Sequence, residues 1–128
     1  MPARYRSAFV HAANDTGLPL AMLVAVGQVE SQMTPNARSR ADARGLLQVL
    51  PSTAAALQLD VSRPATNVLA GARYLRQLLD EFHSPDLALA AYNAGPTAVA
   101  QASGAPTQET LDYVVNVTSL WRELRGCR

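Results

Sequence analysis

The sequence predicts a single, mainly α-helical domain, and three observations lead to this prediction. The chain has 128 residues, the usual size of one domain. Its apolar residues recur at helical spacing along nearly the whole length. Short segments rich in Gly, Pro, Ser and Asn separate the apolar ones, and none alternates convincingly like a strand. We therefore expect one domain over residues 1–128, with its core at about 18–124 and at most a small irregular β element around residues 34–50.

The first two helices are predicted from their ends and from their hydrophobicity. Residues 3–15 are expected to form the first helix, which stops near Thr16 and Gly17. Pro19 suits the first turn of the second helix, where its missing N–H costs nothing. Residues 20–29 are apolar on almost every side, and a helix of this kind is buried. We expect the second helix to run through the middle of the domain.

Polar residues and then a short apolar run follow the second helix. Residues 33–44, MTPNARSRADAR, predict a loop or a pair of turns, and Gly45 opens the apolar run LLQVL. Pro51 begins a short helix, PSTAAAL. Thr66 or Asn67 is expected to cap a longer helix, whose apolar positions are spaced by four, three, four and three: Val68, Ala72, Leu75, Leu79 and Phe82.

The last third of the chain predicts three helices. Ser84 and Pro85 start one that ends at Gly95, and a short helix is expected after it. The final helix is expected over residues 108–124. Its apolar face is predicted to consist of Leu111, Val114, Val115, Thr118, Trp121 and Leu124.

Composition and charge exclude several classes of protein. Hydrophobic residues make up 48% of the chain and charged residues 16%, which is typical of an ordinary globular protein. The net charge of +1 lacks the basic excess with which nucleic-acid-binding proteins displace counterions from phosphates. The longest apolar stretch, residues 18–26, is about half of the ~20 residues that span a membrane. The N-terminal segment MPARYRSAFVHAAND lacks the apolar region of a signal peptide, so any export signal was removed or belongs to a longer protein.

No metal or cofactor is expected from the sequence. His11 and His83 are far apart and share no ligand spacing with Cys127, the single cysteine. There is no HExxH, CxxC, GxSxG or phosphate-binding Gly-rich motif. Metal, nucleotide and serine-hydrolase chemistry therefore have no support. Cys127 is interpreted as a frayed tail residue.

Glu30 is the most unusual residue of the sequence. It ends the most hydrophobic predicted helix, beside Val26 and Val29. The negative end of the helix dipole and burial both disfavour the charged carboxylate, so we expect the pKa of Glu30 to be raised. A carboxyl group that stays protonated near neutral pH can act as a general acid. The alternative is a helix-end Glu that points to solvent or pairs with Arg38, Arg40 or Arg44.

Six further polar residues have both a structural and a functional interpretation. Ser31 would satisfy a carbonyl at the helix end, which is the better interpretation from the sequence alone. Gln48, within LLQVL, needs hydrogen-bond partners if buried, and a ligand-binding amide and a core amide are equally open. The other four lie near a helix end or share a helix face, where capping, packing or solvation would also explain them: Tyr92, Asn93, Glu109 and Tyr113.

Four segments together resemble the soluble lytic transglycosylases of glycoside hydrolase family 23. Residues 30–51, ESQMTPNARSRADARGLLQVLP, are similar to the family's signature, which runs from E-S to G-[LM]-[ML]-Q-x-x-P. Residues 67–82 are similar to its next helix, residues 90–96 (AAYNAGP) to its most recognisable short motif, and residues 109–114 (ETLDYV) to its closing element. The segments stand in the family's order and spacing and cover most of residues 18–124.

The resemblance implies a lysozyme-like fold of the goose-type and SLT kind, with a cleft that binds the glycan strands of peptidoglycan. It implies that Glu30 is the catalytic acid/base and that Ser31 supports it. Residues that match positions contacting sugar or orienting the carboxylate are Gln48, Tyr92 and Asn93. Glu109 and Tyr113 match the final motif at the floor of the cleft. The implied reaction cleaves the β-1,4 bond between N-acetylmuramic acid and N-acetylglucosamine without water and leaves 1,6-anhydro ends.

Two positions depart from the family pattern, and one of them supports a rival function. Leu47 replaces the more usual Met, which should matter little. Asp42 stands where the family commonly has Gly, and Asp tolerates a positive φ at some strain. If Asp42 activated water, the protein would be a lysozyme-type hydrolase, whereas pairing with a loop arginine would make Asp42 structural. A second rival is a non-catalytic module for peptidoglycan binding or assembly, although such a module needs no isolated buried acid.

Partners and location follow from the implied substrate. Peptidoglycan glycan strands are the expected partner, which places the protein in the periplasm, the cell wall or outside the cell. Partners from a secretion system or a phage tail would accompany an assembly role. Nothing in the sequence indicates an oligomer, and a monomer is the default expectation.

Overall fold

The computed structural model describes residues 1–126, so the interpretation of Cys127 as a tail residue lies outside it. A 3₁₀ turn at Ala3–Tyr5 precedes seven α-helices in the described range. These are α1 (Arg6–Thr16), α2 (Leu20–Ser31), α3 (Pro51–Ala56), α4 (Pro64–Phe82), α5 (Pro85–Ala94), α6 (Pro96–Ala102) and α7 (Gln108–Gly126). The β structure within residues 1–126 consists of isolated bridges that pair Arg44 with Arg38 and with Val49. The predicted mainly α fold is therefore confirmed, with its irregular β element in the expected segment.

The chain forms two compact units, Met1–Arg73 and Tyr74–Arg128, and their boundary falls within α4. The expectation of a single domain stays a prediction. No helix within residues 1–126 is long and apolar enough to cross a membrane.

Helix α2 is buried, as its hydrophobicity predicts. Met22, Leu23 and Val26 are at most 1% exposed. Neighbouring side chains approach the helix closely at Gly27, because a Cβ built on it would be 3.0 Å from Cζ of Phe9, 3.1 Å from Cε of Met33 and 3.3 Å from Cδ2 of Leu47. Side chains from α1 and from the segment after α2 therefore pack directly against this helix.

The predicted start of α4 is wrong by about one turn. The helix begins at Pro64, and the backbone N–H of Asn67 already donates to the carbonyl of Arg63 at 2.8 Å. Thr66 and Asn67 therefore lie inside the first turn and do not precede it. Proline at the first helical position explains the early start, since its missing N–H needs no partner there. The side chain of Asn67 is buried and serves another purpose, described below.

The second unit contains α5, α6 and α7; α5 has the predicted ends, and the short helix expected after it is α6. Ser84 caps α5 by accepting a hydrogen bond from the N–H of Leu87 at 3.3 Å, and Pro85 occupies the first helical position. Gly95 ends α5 with a φ of +92°, and Pro96 starts α6 directly after it. A glycine is needed here because other residues rarely adopt this conformation.

The buried face of α7 differs from the predicted apolar face. Four residues at helical spacing are buried: Thr110, Tyr113, Val114 and Val117. Leu111 and Val115, which the sequence placed on that face, are 46% and 52% exposed. The predicted face left out Thr110, which is buried because hydrogen bonds satisfy its hydroxyl.

Candidate active site

Glu30 lies in the last turn of α2 and is half-buried. The helix ends directly after it because Gln32 adopts the left-handed conformation, with a φ of +51°, and donates its N–H to the carbonyl of Gln28. Met33 follows with a φ of +59°. Its side chain packs in the core, and the residue is 6% exposed. The carboxyl group is therefore carried on the C-terminal end of a buried helix, at the negative end of the helix dipole.

Ser31 joins the end of α2 to the segment that contains Gln48. Its hydroxyl lies 2.8 Å from the carbonyl oxygen of Leu46 and 3.1 Å from that of Gly27, and it is the donor in both contacts. Ser31 is 8% exposed and Leu46 is fully buried. The structure thus confirms that this serine satisfies a carbonyl, and it adds that the carbonyl belongs to a distant segment.

Replacing Ser31 with alanine is expected to lower the free energy of unfolding by about 1–2 kcal/mol, because the buried carbonyl of Leu46 loses its donor. Urea unfolding of the variant would measure the change. Ser119→Ala, at an exposed position of α7, is the matched control and should change little. A Ser31→Ala variant as stable as the unmodified chain would show that this hydrogen bond does not hold the segment.

Gln48 holds the loop between α2 and α3 together. Its side-chain Nε2 donates to the carbonyls of Ala37 at 3.0 Å and Gly45 at 2.9 Å. The residue itself has a φ of +49°, so the run LLQVL is a tight turn and not a strand. Of the two interpretations left open by the sequence, the structure supports an amide that satisfies backbone carbonyls, while contact with a ligand stays a prediction.

Asn67 organises the same loop from α4, a role that sequence reasoning missed. It is 1% exposed. Its Oδ1 accepts from the N–H of Leu47 at 3.0 Å, and its Nδ2 donates to the carbonyls of Arg44 at 2.8 Å and Val61 at 3.0 Å. The only signal in the sequence was an Asn at the start of a predicted helix, which suggested a cap.

Gly45 allows this close approach of the loop to Asn67. It has a φ of +78°, and a Cβ at this position would lie 2.4 Å from Nδ2 of Asn67. Any side chain here would therefore meet both backbone strain and a steric clash. The glycine of the G-L-L-Q sequence is required for packing, quite apart from any contact with a ligand.

Asp42 is held by two arginines of the loop. One carboxylate oxygen lies 2.6 Å from Nε of Arg38 and 2.8 Å from Nε of Arg44, and the second oxygen lies 3.1 Å from Nη2 of Arg44. The hydrogen bonds from Arg44 and then Arg38 lower the pKa of Asp42 below 3.8. Asp42 has a φ of +71°, as expected for a position where the family commonly has Gly. The structural interpretation of Asp42, pairing with loop arginines, is confirmed.

In the second unit, Asn93 connects the end of α5 to the start of α7. Its Oδ1 accepts from the hydroxyl of Thr110 at 2.9 Å, and that hydroxyl lies 3.1 Å from the hydroxyl of Thr107. Thr107 also caps α7 by accepting from the N–H of Thr110 at 3.1 Å. Asn93 thus braces two helices, and Thr110 and Thr107 are participants that the sequence analysis did not single out.

The remaining candidates of the second unit differ in exposure. Tyr92 is half-buried and its ring lies 5.5 Å from that of Tyr74, with the planes tilted by 45°. Tyr113 is 7% exposed, whereas Glu109, one turn earlier on α7, is exposed. The predicted pair on α7 is therefore one buried tyrosine and one solvated carboxylate. Roles toward a ligand stay predictions for all seven candidates.

The described residues 1–126 contain no group of three or more His, Cys, Asp and Glu side chains that could hold a metal ion.

Comparison with known proteins identifies the family. The family model described as the transglycosylase SLT domain matches residues 7–113. A membrane-bound lytic murein transglycosylase F of Alkalilimnicola ehrlichii is 37% identical over 72% of this chain and 20% of its own length. The soluble lytic murein transglycosylase of Escherichia coli K12 is 29% identical over 91% of this chain and 22% of its own.

A solved structure gives the same result for the fold. The inactive glutamate-to-glutamine mutant of the lytic transglycosylase Slt from Pseudomonas aeruginosa superposes with a TM-score of 0.84 and 30% identity. The match covers 96% of this chain and 24% of that protein. The chain spans about a quarter or less of the length of the relatives it matches. Because the family model covers most of the sequence, the chain belongs to the transglycosylase SLT domain family.

Proposed function

We propose that this chain is a lytic transglycosylase domain that cleaves the β-1,4 bond between N-acetylmuramic acid and N-acetylglucosamine in peptidoglycan. The observation that carries the proposal is the placement of Glu30 at the end of the buried helix α2 in a chain of the SLT family. The names of the curated relatives support murein as the substrate. The Pseudomonas neighbour, an inactive glutamate-to-glutamine mutant, supports the need for one glutamate in that protein.

In the first step, protonated Glu30 gives its proton to the glycosidic oxygen as the bond from that oxygen to C1 of the muramic acid breaks. The N-acetyl group of the same sugar is the proposed source of stabilisation for the positive charge at C1. Placement of Glu30 at the negative end of α2 favours a neutral carboxyl group before this step.

In the second step, the carboxylate of Glu30 removes the proton from the C6 hydroxyl of the muramic acid. The C6 oxygen then bonds to C1 and closes the 1,6-anhydro ring, which returns Glu30 to its protonated form. One carboxyl group is enough because no water is consumed. Holding the hydroxyl near C1 is a task of positioning, for which Gln48, Tyr92 and Asn93 are the proposed residues.

The state of Asp42 favours this reaction over hydrolysis. A hydrolase would need a second carboxylate to activate water. The Asp42 carboxylate accepts hydrogen bonds from Arg38 and Arg44, and its lowered pKa makes it a weak base. We therefore assign Asp42 to the architecture of the loop.

Replacing Asp42 with asparagine is expected to preserve turnover and the anhydro product. It should also remove an acid-sensitive contribution to stability. The pKa of Asp42 is lower in the folded chain than its ordinary value of 3.8. The ion pairs of Asp42 therefore stabilise the fold fully above pH 3.8, and this stabilisation is lost as the pH falls through the pKa that Asp42 has in the folded chain. Urea unfolding should show a gap between the two proteins near neutral pH that closes in acid. The gap should be small and should shrink with added salt, since the carboxylate is 43% exposed. Lost turnover in this variant would contradict the structural assignment.

Mass spectrometry of the muropeptides released from purified sacculi tests the proposed reaction. Products lighter by one water than the hydrolytic ones are expected. Products with reducing ends would show that the domain is a hydrolase and not a transglycosylase. Binding to sacculi without release of products would indicate a non-catalytic module.

The proposed substrate places the domain at the murein of the periplasm or the cell wall. A monomeric state and partners from a secretion system or phage stay predictions from the sequence.

A further inference from the structure

The hydrogen bonds around Thr110 form a directed chain that ends on Asn93. The hydroxyl of Thr107 accepts from the N–H of Thr110 at 3.1 Å and donates to the hydroxyl oxygen of Thr110 at 3.1 Å. The hydroxyl of Thr110 in turn donates to Oδ1 of Asn93 at 2.9 Å. Each hydroxyl therefore gives one hydrogen bond and receives one, and successive bonds that run in one direction polarise and strengthen one another.

The reverse direction fits these three side chains less well. If the amide of Asn93 were turned round, its Nδ2 would donate to Thr110, and the hydroxyl of Thr110 would keep its contact with Thr107 by donating to it. The oxygen of Thr107 would then receive two hydrogen bonds, while its own proton would have no partner in the chain. Because Thr110 is 3% exposed, water does not compete for its hydroxyl, and the protein sets the direction of the chain.

This direction decides which group Asn93 offers to its surroundings. A side-chain amide has an acceptor oxygen on one side of Cγ and two N–H donors on the other. Since Oδ1 is occupied by Thr110, the N–H groups of Nδ2 face away from that contact. Asn93 is itself exposed, near the end of α5. The exposed side of this residue is thus a hydrogen-bond donor held in a fixed orientation.

We propose that Thr110 is a positioning residue, which holds the Asn93 amide so that its Nδ2 donates a hydrogen bond to the substrate. The inference rests on the function proposed above, in which Asn93 helps to hold the C6 hydroxyl of the muramic acid near C1. A donor at Asn93 binds a lone pair of the C6 oxygen and leaves the C6 proton for removal by Glu30. An acceptor in the same place would compete with Glu30 for that proton.

The kinetics and products of Thr110→Val on soluble glycan strands test this role. Valine keeps the branched shape but lacks the hydroxyl, so the Asn93 amide is free to turn. We expect kcat to fall by about 3- to 10-fold, the effect of one hydrogen bond, with little change in KM. The share of reducing-end products should rise, because water adds to C1 in place of a misplaced C6 oxygen and gives its proton to Glu30. Thr110→Ser, which keeps the hydroxyl, should restore both values.

The product ratio separates positioning from a purely structural role, because lost stability lowers the amount of active protein and leaves the ratio unchanged. Thr118→Val is the matched control, since it removes a hydroxyl that donates to the carbonyl of Val114 on the same helix at 2.8 Å. It should keep the rate and the product ratio. Unchanged kcat and products in a folded Thr110→Val variant would overturn the proposal, and so would a loss that Thr110→Ser does not restore.

Nuclear magnetic resonance tests the orientation of the Asn93 amide independently of turnover. With Oδ1 on Thr110, the Nδ2 protons should show only weak nuclear Overhauser effects to the hydroxyl of Thr110, and their resonances should shift in Thr110→Val. Strong effects would mean that the amide is turned round and would overturn the proposal. If the unmodified chain releases no product, the proposed enzymatic function fails, while these spectra still decide whether Thr110 orients Asn93.

Discussion

Replacing Glu30 with glutamine is expected to reduce the release of anhydro-muropeptides by at least about 100-fold while the fold is kept. The amide has nearly the same shape as the carboxyl group but neither gives up nor takes up a proton at the required steps. General acid–base catalysis by one side chain contributes roughly 100- to 10,000-fold, and Glu30 is proposed to serve in both steps. Glu30 lies at the edge of the core, half-buried, so the substitution leaves the packing of α2 in place.

The measurement is the rate of product release from sacculi, followed by mass spectrometry. Glu123→Gln, at an exposed position of α7, is the matched control and should keep full activity. Circular dichroism and the unfolding midpoint of each variant would establish that the fold is kept. A folded Glu30→Gln variant with undiminished turnover would remove Glu30 from the mechanism and, with it, the single-carboxyl reaction.

Replacing Asn67 with alanine is expected to be the most destabilising of the proposed substitutions. The change removes the partners of three backbone groups, those of Arg44, Leu47 and Val61. A buried group left unpaired costs about 1–3 kcal/mol. The Leu47 contact is buried and the other two are partly buried, so the free energy of unfolding should fall by about 3 kcal/mol. Denaturant unfolding measures this change, and Asn14→Ala, at an exposed position of α1, should show almost none of it.

A double-mutant cycle with Gly45 sharpens this test. A residue with a Cβ pays about 1–2 kcal/mol for a left-handed backbone conformation. Gly45→Ala alone should lower the free energy of unfolding by more than this, because the new Cβ would also clash with Nδ2 of Asn67. In the Asn67→Ala background the clash is absent, so the cost of Gly45→Ala should fall toward the backbone value. The two effects should therefore not add. Additive effects would mean that the loop and α4 are not in the contact described.

The sequence was most informative where the pattern was local. The hydrophobicity of residues 20–29 predicted the buried helix α2, and Ser84 with Pro85 predicted the start of α5. Glu30 was singled out because the helix dipole and burial both disfavour a charged carboxylate at the C-terminal end of such a helix. These inferences needed only neighbours along the chain, and periodicity and capping report on such neighbours.

Features that depend on distant segments were beyond this reasoning. Asn67 was expected to be a cap, yet its partners include residues 20 and 23 positions away along the chain. Thr110 was overlooked as a polar residue although its hydroxyl pairs with Asn93, 17 positions away. In both cases a buried polar side chain is explained only by its partner, and no periodicity of apolar residues identifies that partner.

The hydrogen bond from the Leu47 amide to Asn67 also makes one backbone position a reporter on the loop. This amide is protected by a side chain from α4, in a segment outside the helices. Its deuterium uptake therefore depends on the separation of the loop from α4, which is a local opening and not the unfolding of a helix. The protection of the Leu47 amide against exchange would give the free energy of loop opening, and uptake in the middle of α2 would serve as the reference for opening of the buried helix. A ligand that holds the loop closed would slow exchange at this amide before any product is formed.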